Sequence, residues 1–164
     1  MTVKNGVALN WGGFDKALGK AAHKLGDTQA LMESVGEALI SGTLKRFDDE
    51  EEPTGKKWPK SKRAAKEGGQ TLTNVGTLRK SIDKIATPDK VMVGSNLPYA
   101  RIHQKGGTIK PKKGKYLKFK GLDGEDVFVK EAKIPARPYL GVSAEDMDDV
   151  RETVAKFLKG AFKP

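Results

Sequence analysis

The sequence predicts an α+β domain in which a mainly antiparallel sheet packs with N-terminal helices and a C-terminal helix, and from which a long loop and a β-hairpin extend. Three observations carry this prediction. Apolar residues recur at helical spacing near both ends of the 164-residue chain. Period-two alternation, punctuated by turn residues, occupies the middle. The resulting order is helix, helix, loop, strands, helix, with no internal repeat. A single domain of this length buries roughly 68 to 70% of the surface exposed by its unfolded chain.

Residues 1–13, ending in Gly12-Gly13, read as a flexible lead-in to a single domain over 14–164. Phe14, Leu18, Ala21, Ala22 and Leu25 then recur at helical spacing, and Gly26 stops that helix. Asp27 or Thr28 can cap a second one, whose stripe is Leu31, Met32, Val35, Ala38, Leu39 and Phe47. The two are expected to pack as a hairpin. Gly36 and Gly42 each cost about 1 kcal/mol of helix propensity relative to Ala if exposed, which points to a close neighbour at both positions.

Over residues 48–70 the apolar pattern collapses. The acidic run Asp48-Asp49-Glu50-Glu51-Glu52 is followed by Lys56, Lys57, Lys60, Lys62, Arg63 and Lys66 among Pro and Gly. No core is expected from this stretch, which reads either as an extended segment that orders on a partner or as a solvated loop. Trp58 is its one large ring, suited to anchor an interface or to cover the domain's own core.

Residues 74–81 have the spacing of a short helix carrying Leu78. Residues 82–85 and 90–94 read as strands joined around Pro88-Asp89. A clearer hairpin follows: Leu117 and Phe119 alternate with Lys118, Asp123-Gly124 supplies the turn, and Val127 and Val129 answer on the return. It lies within a basic region spanning 105–133. Ser143-Ala144-Glu145-Asp146 has the form of a capping box, and Met147, Val150, Val154, Phe157 and Leu158 follow at spacings of three and four.

Composition narrows the function without choosing it. Lys and Arg total 31 against 21 Asp and Glu, and the formal charge of +10 favours nucleic acid, anionic membranes or acidic protein surfaces. The absence of cysteine excludes a disulfide framework and a thiolate metal site; it fits a reducing cytoplasm, or any protein with no use for thiols. No signal-peptide core is present and no run approaches the roughly 18 apolar residues of a membrane span, so the chain is expected to be soluble, with no membrane partner.

The catalytic inventory is thin. There are two histidines, His23 and His103; neither stands beside a nucleophile or a recognised ligand spacing. His23 reads as a surface helix residue, and His103, beside Tyr99 and Arg101, as a structural brace. Gly107 and Gly114-Lys115 depart from a phosphate loop, because six residues separate the glycines and Tyr116 stands where a hydroxyl residue would hold magnesium. Neither a catalytic site, a cofactor nor a metal is therefore expected.

Lys105, Lys110, Lys112, Lys113, Lys115, Lys118 and Lys120 surround Tyr116 and Phe119, as a nucleic-acid surface with stacking rings would. Lys dominates over Arg, however, and alternation turns Phe119 away from Lys118 toward the core. No nucleic-acid module signature appears. A solvated lysine face or an acidic protein partner is favoured, with a DNA-binding accessory role as the alternative.

Two segments mix aromatic, Arg and aliphatic residues with rigid Pro and permissive Gly: Asn96-Leu97-Pro98-Tyr99-Ala100-Arg101-Ile102-His103-Gln104-Lys105-Gly106-Gly107 and Ile134-Pro135-Ala136-Arg137-Pro138-Tyr139-Leu140-Gly141. Such combinations fix one backbone shape that packs tightly, within a chain or between chains. These segments, with Leu44-Lys45-Arg46-Phe47, Gly55-Lys56-Lys57-Trp58-Pro59, residues 72–82 and Val91-Met92-Val93-Gly94-Ser95-Asn96, carry a resemblance over most of the chain. In order and spacing the chain resembles the phage virion morphogenesis family, the Mu-like tail completion proteins. One departure is Asn74-Val75-Gly76, where the family often has Asp-Thr-Gly.

The resemblance implies a non-enzymatic protein of the neck or tail end of a contractile-tailed phage, prophage or related particle, needed for tail completion or head-to-tail joining. It implies a homo-oligomeric ring, with tail-tube or head-connector proteins as neighbours. The expected location is the virion, after assembly in the host cytoplasm. Candidate assembly contacts are Asp48, Asp49 and Glu50, facing a neighbour's basic hairpin; Trp58 as an anchor; and Lys112, Lys113 and Lys115 on the hairpin. Tyr99, Arg101, His103, Arg137 and Tyr139 complete the set at the hairpin's base, and an internal packing role is the alternative for Arg137 and Tyr139.

Overall fold

In a computed structural model of the chain, residues 28–161 are described; the lead-in over 1–13 and the helix expected between Phe14 and Leu25 lie outside them. The elements are α1 (Thr28–Asp49), α2 (Lys62–Glu67), α3 (Thr77–Lys80), β1 (Ile82–Thr87), β2 (Lys90–Ser95), α4 (Ala100–Lys105), β3 (Gly107–Ile109), β4 (Leu117–Lys120), β5 (Asp126–Val129), β6 (Ala132–Ile134) and α5 (Ala144–Ala161). Helices and antiparallel strands thus combine in an α+β fold.

The central helix α1 buries Leu31, Met32, Val35, Gly36, Leu39, Thr43, Arg46 and Phe47, a stripe with the 3.6-residue period. That stripe lies against β1, β2 and α5. Its glycines sit where neighbours come close: a methyl on Gly36 would meet Lys84 and Val91, and one on Gly42 would meet Asp146. The helix stops at Glu50, a non-glycine residue in the left-handed region at φ 54, and the Glu51 amide turns back to the Arg46 carbonyl at 3.1 Å.

Among the described residues all strand pairing is antiparallel, but it forms three separate two-stranded ladders and no continuous sheet. Only β1–β2 contributes to the core, through Ile82, Val91 and Val93. The hairpin around Pro88-Asp89 has Thr87 opposite Lys90. The other two ladders nest, with β3–β6 outside β4–β5, so that one long hairpin arm leaves the domain. None of its residues joins the hydrophobic core.

Two expectations change here. Residues 48–70 were expected to supply no core, yet they fold back on the domain. The Trp58 amide bonds the Glu50 carbonyl at 2.7 Å, and Ser61 caps α2 through the Ala64 amide. Trp58 and Ala64 are both buried. Phe119 was expected in the core and is 47% exposed, because among the described residues its two-stranded ladder does not pack on the hydrophobic core.

Local signals held elsewhere. In the cap of α5, the Asp146 amide donates to Ser143 Oγ at 3.1 Å, and the Ser143 amide donates to Asp146 Oδ2 at 2.7 Å. Val150 is the fully buried apolar residue among the described side chains of that helix, with Val154 and Phe157 packed against the core. The short helix α4, which sequence patterning did not anticipate, ends at Gly106 with φ 68. A side chain there would lie 2.7 Å from the Ala136 amide nitrogen, so the arm's two feet close around that glycine. Among the described residues, no helix is long and apolar enough to cross a membrane.

Candidate assembly surface

The base of the arm is a hydrogen-bonded clamp around the extended segment 137–141. Gln104, on α4, accepts from the Tyr139 and Leu140 amides at 3.0 Å each and donates to the Leu140 carbonyl at 2.8 Å. From the other side, Trp58 Nε1 donates to the Pro138 carbonyl at 3.0 Å, and Arg137 Nε donates to the Pro59 carbonyl at 2.7 Å. Phe47 meets the Trp58 ring edge-on at a centroid distance of 5.6 Å and the Tyr139 ring at 5.1 Å. Tyr139 donates to the Ala100 carbonyl at 3.1 Å, and burial pushes its phenol well above the ordinary range, so it acts as a fixed donor.

A second lock lies beneath the clamp. Arg46 donates through Nε to the Tyr139 carbonyl at 2.9 Å, through Nη1 to Asp146 at 2.7 Å, and through Nη2 to the Gly141 carbonyl and Thr43 Oγ1. One guanidinium therefore ties α1, the end of the clamped segment and the cap of α5 together.

This geometry sorts the expected contact residues into three groups. Trp58, Arg137 and Tyr139 are buried and hold the arm's base, so Trp58 covers the domain's own core. Glu50 is also internal: its carboxylate accepts from the Thr71 amide. Desolvation pushes that carboxyl up, but the Thr71 bonds and the Lys60 and Lys57 charges outweigh it and hold it below the usual range. At the rim are exposed Tyr99 and Arg101 and half-buried His103, whose imidazole lies 6.0 Å from the Tyr99 ring. Desolvation and the Arg137 charge hold that imidazole below the ordinary histidine range.

The outward-facing groups are of opposite charge. Asp48 and Asp49 are exposed at the end of α1, where Asp48 pairs with Arg79 at 2.9 Å. Asp49, Glu51, Glu52, Glu145 and Asp149 form an acidic shoulder around a cleft between α1 and α5, where Lys57, Lys56 and Lys45 pair with Glu51, Glu52 and Glu145. The arm instead carries nine lysines against four acidic residues over 105–133. Lys118 and Lys120 pair with Asp126 at 2.8 and 3.0 Å, whereas Lys112, Lys113 and Lys115 are exposed and form no ion pair among the described residues.

The register places Leu117, Phe119, Val127 and Val129 on one face of the arm, and none of them packs on the core. Tyr116 and Leu122 are exposed beside them, and Phe128 is exposed on the opposite face beneath the Lys118 ammonium. Such a ribbon suits a protein interface.

Sequence reasoning missed Arg46, Gln104 and Asp146 as organising residues. Arg46 stands beside Phe47 in an otherwise amphipathic helix, and no local pattern separates a buried arginine from a surface one. Among the described residues, no group of three or more His, Asp or Glu is placed to hold a metal ion.

The pattern of the phage virion morphogenesis family matches residues 9–159, from before α1 to nearly the end of α5. The chain belongs to that family. Two relatives are each 28% identical to this chain. One, from Escherichia phage Mu, bears the name "Putative capsid assembly protein G" and aligns over 144 residues, 82% of both chains. The other is the Mu-like prophage FluMu G protein 2 of Haemophilus influenzae, aligned over 143 residues, 87% of both chains. No solved structure matches the chain. Membership makes this a phage morphogenesis protein, and the family match takes in both the arm and the clamp at its base.

Proposed function

We propose that this protein is a non-enzymatic component of the phage neck or tail end, acting in tail completion or head-to-tail joining by assembling into a homo-oligomeric ring. The basic arm of one subunit reaches the acidic shoulder of the next. The observation that carries this reading is the Leu117, Phe119, Val127 and Val129 face, which packs on no core residue, beside Lys112, Lys113 and Lys115, which form no ion pair among the described residues, on a chain that also carries the acidic run of Asp48, Asp49, Glu51 and Glu52. A head-to-tail contact between two different patches generates a ring when its rotation closes. The clamp supports this role by keeping the arm's direction fixed, which lowers the ordering cost of each contact.

Mass-resolved chromatography and electron microscopy of the purified protein test the reading. A discrete oligomer that dissociates when Lys112, Lys113 and Lys115 are all changed to Glu supports it. A strictly monomeric species that binds DNA, losing affinity steeply as salt rises, overturns it in favour of a DNA-binding accessory protein. Within a particle, neighbouring tail-tube or head-connector proteins would flank the ring, and labelling of virions at the neck or tail end would locate it.

A further inference from the structure

A cleft of about 310 Å³ opens beside the clamp, lined by Arg63, Leu72, Asn74, Val75, His103 and Arg137 among others, and shares no lining residue with the arm or the acidic shoulder. Arg137 is 6% exposed and forms no ion pair among the described residues. Among the described residues, only Nε of its guanidinium donors is engaged, on the Pro59 carbonyl. Glu50 acts on it from a distance, but that carboxylate is already held by Thr71. His103 Nδ1 is buried without a hydrogen-bond partner. The free Nη groups of Arg137 are not among the buried atoms left without a partner, so they face solvent beside the buried ring nitrogen.

The remaining walls are mainly apolar, with Ser61, Asn74 and Thr77 as their polar members. Leu72 sits in the left-handed region at φ 62, Val75 is 73% exposed and Tyr99 is partly exposed at the mouth. Those walls fit the side chains of a peptide better than the evenly charged backbone of a nucleic acid, which is tracked by an array of free cations. Arg63 is already committed in part to the Gln70 carbonyl and to Glu67, so the principal open donors belong to Arg137.

We infer that this cleft binds a short acidic segment of a protein partner, its carboxylate meeting the Arg137 guanidinium beside the His103 ring and a neighbouring apolar side chain packing against Leu72, Val75 and Tyr99. The cleft is a docking site for a second partner, independent of the arm contact. A bidentate carboxylate on Arg137 gives direction, and the apolar wall selects against a bare anion.

Proton NMR of the full chain tests this, because there are only two histidines and His103→Asn identifies the resonance. The probes are acetyl-Leu-Asp-Leu-amide, its Asn counterpart, sodium acetate and inorganic phosphate. The expected result is a saturable shift of the His103 imidazole with the Asp peptide alone, and a rise in its titration midpoint of about one pH unit, since a carboxylate favours the charged ring. Asn74→Asp, which places a carboxylate in the cleft from within the chain, and Val75→Ser should each weaken peptide binding about tenfold, with the thermal transition retained. Both positions are exposed and neither supports the clamp. No shift with the Asp peptide, equal shifts with the two peptides, or a response to phosphate or acetate at lower concentration than to the peptide would each overturn the assignment.

Discussion

Arg46 and Asp146 meet at 2.7 Å with both side chains buried, joining the last turn of α1 to the first turn of α5. The same Asp146 oxygen accepts from the Ser143 amide, so the cap of α5 and the bridge to α1 share one atom. Removing that carboxylate strands a buried cation as well as a helix end.

Asp146→Ala is therefore expected to lower stability by about 3 to 5 kcal/mol, whereas Ser143→Ala, which removes one cap bond, should cost about 1 kcal/mol. Urea unfolding of the two variants measures the difference. Equal costs would mean that the pair with Arg46 adds nothing beyond capping.

Trp58→Ala should destabilise the isolated subunit by about 3 to 5 kcal/mol, in line with large-to-small changes of buried aromatic residues. The ring packs on Phe47 and its indole holds the Pro138 carbonyl. Thermal unfolding below the assembly concentration separates this from a defect in oligomerisation; an unchanged transition would place the ring's role outside the core.

Phe119→Ser should behave in the opposite way. Its ring lies on the arm, outside the core, so the subunit's stability should stay within about 0.5 kcal/mol of the parent. Assembly, measured by sedimentation across a concentration series, should weaken at the same time.

Acid should weaken the fold through two groups. His103 is held below its ordinary value, so below the unfolded value the unfolded chain binds more protons; stability is unaffected above that value and falls as pH drops from it toward the folded one. Glu50 is held below the usual carboxyl range; its contribution is present above the unfolded value and lost as pH falls through the folded one. His103→Asn should flatten the mildly acidic limb of a plot of melting temperature against pH, and Glu50→Gln the limb below it.

The apolar stripe of α1, the Ser143–Asp146 cap and the two hairpins were legible because each signal is local: a period, a cap within four residues, or a turn between alternating runs. Phe119 shows the limit of alternation. The pleat shows which residues share a face with Leu117, Val127 and Val129, but it cannot say whether a second layer covers that face. Residues 48–70 show another limit: a charged, Pro-containing run looks unable to build a core until Trp58 finds a carbonyl 80 residues away.

Composition and pattern were by themselves enough to establish the α+β class, the family resemblance and a basic hairpin between two tightly built segments. The tertiary structure alone decided that Trp58, Arg137 and Tyr139 face inward, that Gln104 and Arg46 organise the arm's base, and that the apolar side of the arm stays outside the hydrophobic core. The reason is physical. Periods and caps arise from backbone geometry within one or two turns, whereas burial of an arginine or a tryptophan depends on partners brought together only when the whole chain has folded.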